Sequence, residues 1–147
     1  ESLRYDKKSV SNITVKSDST YMLKEIAGDT IELEVVIRSG QAKQVGVEVH
    51  CDRAGGKGFP ISVDPASKTL MLGYLKVPFE LNTNEEVRLR IFLDRYLIEV
   101  FANERQAAVA RHTYDPGNLS IAVFSKGADA VIKEVNAWKM KSTWTKR

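Results

Sequence analysis

The residues best suited to chemistry gather in one short stretch. Asp94, Arg95 and Glu99 bring two carboxylates and a guanidinium together, Tyr96 adds an aromatic ring, and Asn103 follows with an amide. Paired carboxylates can work together, one as general acid and the other as base or nucleophile. Asp94 and Glu99 lie near one turn, within reach of the separations such pairs use. No pocket or supporting motif accompanies them, so the chain is expected to carry no catalytic residues. Planar polar groups beside an aromatic platform also suit a ligand-binding surface. Asp94, Arg95 and Glu99 supply the first, and Tyr96, Tyr74 or Trp138 the second, although aromatic area is more readily spent in cores and interfaces.

Other chemistry-bearing residues are weaker signals. In His50-Cys51-Asp52 successive strand side chains face opposite ways, leaving only His50 and Asp52 to share an ion, and two ligands are too few. His112 reads as an ordinary surface histidine, and no metal or cofactor is expected. Ala54-Gly55-Gly56-Lys57-Gly58 lacks the strand-loop-helix setting and the Ser/Thr of a phosphate loop, and reads as a mobile loop. The single cysteine, Cys51, excludes an internal disulfide and leaves the compartment open.

Composition bounds the rest. The 147 residues fit one domain, expected to span 1–147, and 43% apolar with 28% charged residues is ordinary for a folded globular protein. Against 22 cations stand 19 anions, and the excess sits at the C-terminus in Lys139, Lys141, Lys146 and Arg147. That is a solvated chain end, not a nucleic-acid surface. No apolar run approaches the roughly 20 residues of a membrane span, so neither nucleic acid nor membrane is an expected partner. The abrupt start at Glu1-Ser2-Leu3-Arg4 is that expected of a piece of a longer chain.

The elements that must position these residues are strands. Ile31, Leu33, Val35 and Ile37 alternate with Glu32, Glu34 and Arg38, which predicts a strand over Thr30 to Ser39 with one wet face. Val45, Val47, Val49 and Cys51 repeat the pattern, with Ser39 to Lys43 read as a hairpin turn between the two. Phe59 to Val63 and Thr69 to Leu72 flank the turn residues Asp64-Pro65-Ala66-Ser67. Leu119 to Phe124 and Ala130 to Met140 form a further expected pair around Ser125 to Asp129. Tyr21 to Ile26 is compatible with one short helical turn. Many short strands and almost no helix imply an all-β fold, an antiparallel two-sheet β-sandwich.

Val87 to Leu93 alternates apolar with basic until Phe92, and Asp94-Arg95-Tyr96 turns the chain into Leu97-Ile98-Glu99-Val100-Phe101. Both faces of that second strand are apolar, which predicts covering on both sides and a Glu99 neutralised by Arg95 or Arg111. Alternation leaves open that this face is half-exposed at the sheet edge.

The runs Pro78-Phe79-Glu80-Leu81, Leu89-Arg90-Ile91-Phe92-Leu93-Asp94-Arg95 and Glu99-Val100-Phe101-Ala102-Asn103-Glu104-Arg105-Gln106 resemble the C-terminal β-sandwich domain of glycoside hydrolase family 32, the invertases, levanases and inulinases. Ala137 to Ser142 is similar to its last strand, and Glu1 to Arg4 to the link from its catalytic propeller. Tyr96-Leu97 and Gly73-Tyr74 depart from the usual pattern. The resemblance implies a jelly-roll or lectin-like sandwich and a non-catalytic accessory domain that stabilises an N-terminal catalytic five-bladed propeller of the same chain. The propeller's Asn-Asp-Pro-Asn, Arg-Asp-Pro and Glu-Cys motifs are missing, and Asp64-Pro65 and Asp115-Pro116 read as turns. The alternative it implies is a module binding fructan or fructose. Asp94, Arg95, Tyr96, Glu99 and Asn103 are the candidate interface or sugar-binding residues.

Overall fold

The computed structural model describes residues 3–56, 58–113 and 115–141. Glu1, Ser2 and Lys57, the end of the Ala137 to Ser142 run, and the terminal cations Lys146 and Arg147 lie outside them. The described residues form strands and no helix: β1 (Arg4–Val15), β2 (Ser19–Ala27), β3 (Thr30–Arg38), β4 (Gln44–Cys51), β5 (Phe59–Asp64), β6 (Thr69–Leu72), β7 (Leu75–Pro78), β8 (Val87–Asp94), β9 (Leu97–Ala102), β10 (Gln106–Arg111), β11 (Ser120–Lys126) and β12 (Ala130–Met140). They pair into two antiparallel six-stranded sheets, ordered β1-β12-β3-β8-β9-β10 (sheet A) and β2-β11-β4-β5-β6-β7 (sheet B).

The sheets share one core. Ile31, Leu33, Val35 and Ile37 of β3, Val87, Leu89, Ile91 and Leu93 of β8, and Ile98 and Val100 of β9 project inward from sheet A. They meet Val45, Val47 and Val49 of β4, Ile61 and Val63 of β5, and Ile121 and Val123 of β11. β-branched side chains dominate, as suits a pleated face packed against another. Gly46 of β4 lies close against β5 beside it in sheet B, since a Cβ there would collide with the Ile61 carbonyl oxygen.

Two expected hairpins stand, at Asp64 to Ser67 between β5 and β6 and at Arg95-Tyr96 between β8 and β9. Two do not. Ser39 to Lys43 carries the chain from sheet A to sheet B, and Ser125 to Asp129 returns it, so neither joins paired neighbours. A short connection of turn-forming residues looks the same in sequence whether it closes a hairpin or crosses a sandwich. Tyr21 to Ile26 lies in strand β2, not a helical turn. Its inward Leu23 and Ile26 join the core, and pairing with β11 decides the conformation.

Candidate functional site

Register turns the outer face of sheet A into ordered rows. Trp138 of β12 stands opposite Glu32 of β3, Glu32 opposite Phe92 of β8, Phe92 opposite Glu99 of β9, and Glu99 opposite Val109 of β10. In the next outward row Ser9, Asn136, Glu34, Arg90, Phe101 and Ala107 follow one another. Side chains opposite one another on a face are the contacting pairs of an antiparallel sheet.

The first row holds two carboxylates with different surroundings. Glu32, expected on a wet face, is only 1% exposed. Arg4 reaches it from β1 with Nε at 2.8 Å and Nη2 at 2.5 Å, and Arg90 donates from β8 through Nε at 2.8 Å. The Arg4 guanidinium lies 4.0 Å from the centre of the Trp138 ring, a cation–π contact that seals one side. Burial pushes the Glu32 carboxyl upward, but the hydrogen bonds and charges of Arg4 and Arg90 outweigh it and hold the carboxyl below its ordinary range. Arg90 itself is half-exposed, so Glu32 is covered by its partners more than by depth of protein.

Glu99 is half-buried between Phe92 and Val109. Among the described residues its carboxylate has no hydrogen bond or ion pair. Within the described chain the Glu99 face is not covered: Ile98 and Val100 are sealed in the core, while Leu97 beside Glu99 is 44% exposed. Sheet A ends one strand beyond β9, and nothing described lies over that face. Neither predicted cation reaches Glu99. Arg95 turns to Asp29, its Nε 3.9 Å from Oδ2 and its backbone N–H donating to the Asp29 carbonyl at 2.7 Å. Arg111 is exposed at the end of β10, level with Leu97 instead of Glu99.

Asn103 is a turn clasp. Asn103 and Glu104 both have positive φ, 50° and 56°, the backbone of a type I′ hairpin turn. Asn103 Oδ1 accepts from the Arg88 backbone N–H at 2.7 Å, and its Nδ2 donates to the Glu86 carbonyl at 2.8 Å and to Glu85 Oε2 at 3.0 Å. Arg105 adds a fork onto Glu85, at 2.6 and 2.9 Å. Hydrogen bonds from Arg105, Asn82 and Asn103 bring the Glu85 carboxyl down to about 2. Beside this clasp a groove of about 810 Å³ runs along sheet A, lined by Glu34, Val36, Arg88, Arg90, Phe101 and Arg105. Neither Asp94 nor Glu99 lines it.

At one end of the sandwich Asp94, Arg95 and Tyr96 stand exposed on the β8–β9 turn. Tyr74, at the β6–β7 tip, is fully exposed, and Trp138 is occupied by Arg4. His50, expected to face outward, is buried at a register shift between β4 and β11. His112 is half-buried beside it instead of on the surface, the rings stacked at 5.4 Å with Phe59 4.8 Å from His112. Burial pushes both imidazoles below their ordinary range, His112's charge adding to the effect on His50. No group of three or more potential metal ligands occurs among the described residues.

The Arg4–Glu32–Arg90 cluster was not anticipated from sequence. Its only signals were an acid in the middle of a strongly apolar strand and a tryptophan near the end of β12, and these meet only once β12 pairs with β3.

Architecture and outer-face chemistry define an antiparallel sandwich with one ion-laced sheet. Residues 1–139 match the family described as glycosyl hydrolases family 32 C terminal, and the chain belongs to that family. It is 26% identical to a sucrose-6-phosphate hydrolase of Escherichia coli over 152 residues, covering 95% of this chain and 30% of that protein. A raffinose invertase of Escherichia coli is 29% identical over 108 residues, 64% of this chain and 22% of the other. In fold it superposes on part of an exo-inulinase from Aspergillus awamori, with a TM-score of 0.78, 16% identity, and coverage of 97% of this chain and 31% of that one. Fructan 1-exohydrolase IIa from Cichorium intybus gives a TM-score of 0.80 at 13% identity, with 96% and 36% coverage. The chain thus spans about a third or less of the proteins it matches.

Proposed function

We propose that this chain is the non-catalytic accessory domain of a fructan- or sucrose-hydrolysing glycosidase, folding as one domain and stabilising an N-terminal catalytic five-bladed propeller of the same polypeptide. One observation carries the reading. Asp94 and Glu99, the acid pair nearest the β8–β9 turn, are diagonal neighbours on the outer face of sheet A, their backbones set about 7–8 Å apart by the strand lattice. Asp94 is exposed, Glu99 is half-buried, neither lines the groove, and both lie on the outside of a sheet. A glycosidase must hold its sugar between the two carboxylates, and the groove on sheet A does not run between these two. The fold and the C-terminal family match support an accessory role.

The test has two arms. Purified chain incubated with sucrose, levan or inulin is expected to release no fructose. Removing the chain from the full-length parent is expected to lower the thermal midpoint of the catalytic part. Fructose release that disappears in Glu99→Gln would overturn the reading.

A second reading, a module binding fructan or fructose, is favoured by Asp94, Arg95 and Tyr96 standing exposed on one turn. Calorimetry with levan, inulin and fructose discriminates: saturable heat lost in Asp94→Ala supports binding, and silence supports the scaffold.

A further inference from the structure

We propose that the stacked pair His50 and His112 is a pH-operated latch: as neutral rings the two imidazoles hold the end of β10 in sheet A against β4 and β5 of sheet B, and charging both rings on acidification releases that end. The latch stands apart from the accessory role and holds whether or not that role does.

Local structure builds the pair. Two residues of β4, Val49 and His50, stand opposite Ile121 alone of β11, so β4 bulges there. His50 takes the left-handed backbone, with φ 56°, and its ring is 2% exposed, its chain neighbours Val49 and Cys51 being buried as well. From the other sheet His112, the residue after β10, lays its ring on His50 with centroids 5.4 Å apart and planes 22° from parallel. Phe59 of β5 backs His112 at 4.8 Å. The contact joins the two sheets at the end that carries the β8–β9 turn. There the His112 N–H donates to the Tyr96 carbonyl at 2.8 Å, and the Arg95 N–H to the Asp29 carbonyl at 2.7 Å. An opening of about 440 Å³ lined by Tyr96, Arg111, His112 and Thr113 gives solvent protons a way to the half-buried ring.

Charge decides whether the stack holds. The surrounding segments bring Asp29 from the β2–β3 turn, Arg95 and Tyr96 from the β8–β9 turn, Arg111 from β10, and Glu48, Cys51 and Asp52 from β4 and its end; β5 brings the uncharged Phe59. The Cys51 thiol, pushed up to about 12, stays neutral. Asp29 is the anion within electrostatic reach of His50, and it is shared with Arg95. A first proton on His50 is eased by Asp29 and by the backbones of Asn118 and Arg95. A second, on His112, meets a like charge one ring away, with Arg111 preceding it in the chain. Burial first, then the charge of His112, keeps His50 below its ordinary range, and burial does the same for His112.

Both imidazoles therefore charge more readily in the unfolded chain than in the folded one. Their contribution is fully present above the ordinary 6.5 and is lost as pH falls from there toward the lower folded values. Carboxylates held low, such as Glu32 and Glu85, act below 4.5, and Glu48, pushed up by burial, acts with the opposite sign. A loss between 6.5 and 4.5 is therefore that of the stack.

Amide hydrogen exchange of the whole chain, corrected for the intrinsic effect of pH, reads the latch at about pH 7.5 and about pH 5. Protection of the His112 and Arg95 N–H groups is expected to fall by about tenfold at the lower pH. That of the Lys43 N–H, bonded to the Lys126 carbonyl at the opposite end of the sandwich, should hold. In His112→Phe, which keeps a ring on His50 and removes one charge, the fall at Arg95 should shrink below about threefold. Imidazole titration of the wild type by NMR gives a readout that needs no variant: both midpoints are expected below 6.5. Protection unchanged with pH, an equal fall at Lys43, an undiminished fall in His112→Phe, or either midpoint at or above 6.5 overturns the latch.

Discussion

Glu32 and Glu99 are two carboxylates in one cross-strand row, separated by Phe92, and they have opposite circumstances. Glu32 is nearly sealed and holds two guanidiniums; Glu99 is half-buried and holds none among the described residues. The difference comes from position in the sheet. β3 is an inner strand, so arginines arrive at Glu32 from β8 beside it and from β1 beyond β12. β9 has only the short edge strand β10 outside it, which offers Val109 at that level. Equal chemistry at two points of a lattice thus becomes a structural lock in one place and, in the other, an acceptor without a protein partner among the described residues.

The sharpest way to break the contrast is to delete each acid. Glu32→Ala leaves Arg90 without its carboxylate and Arg4 with Glu34 at 3.6 Å in place of the buried fork, and is expected to cost about 3 kcal/mol, read as a lower urea midpoint. Arg4→Ala retains the Arg90 contact but loses the fork on Glu32 and the ring contact with Trp138. It should cost about 2 kcal/mol in the same measurement.

Acid titration sharpens the comparison further. The Glu32 carboxyl is held below its ordinary 4.5 in the folded chain. Its contribution is therefore fully present above the unfolded value and is lost as pH falls through the lower folded value. In Glu32→Gln, stability should decline less steeply on acidification below pH 4.5 than in the wild type. Glu85, held at about 2, acts with the same sign, so part of the acid slope should remain. The smallest effect is expected at the other acid: Glu99→Ala in the chain alone should change stability by no more than about 0.5 kcal/mol. A drop as large as that of Glu32→Ala would show that Glu99 has a structural partner and erase the distinction.

The alternation of β3, β4, β8 and β9 named much of the core correctly, because a strand with one sealed face writes its period into the chain. The β8–β9 turn was legible for the same reason. β1, β7 and β10 were not, since edge strands bury few side chains and show weak alternation: β1 is exposed along most of its length. The site was read less well than the fold. Asp94, Arg95, Tyr96 and Glu99 were located on one turn and its strand, but the partners assigned to Glu99 were wrong, because Arg95 is drawn to Asp29 on another segment. Asn103 was singled out for a surface role, and its amide is spent on the turn that holds β9 to β10.

What the sequence determined by itself was the all-β class, the inward side chains of β3, β4, β8 and β9, and the family, all properties of local period and of contiguous motif. Tertiary structure alone decided which acid is locked and which is open. A carboxylate's state depends on what stands opposite it across the sheet, and Arg4, Glu32, Arg90 and Trp138 come from four strands whose order no local pattern records.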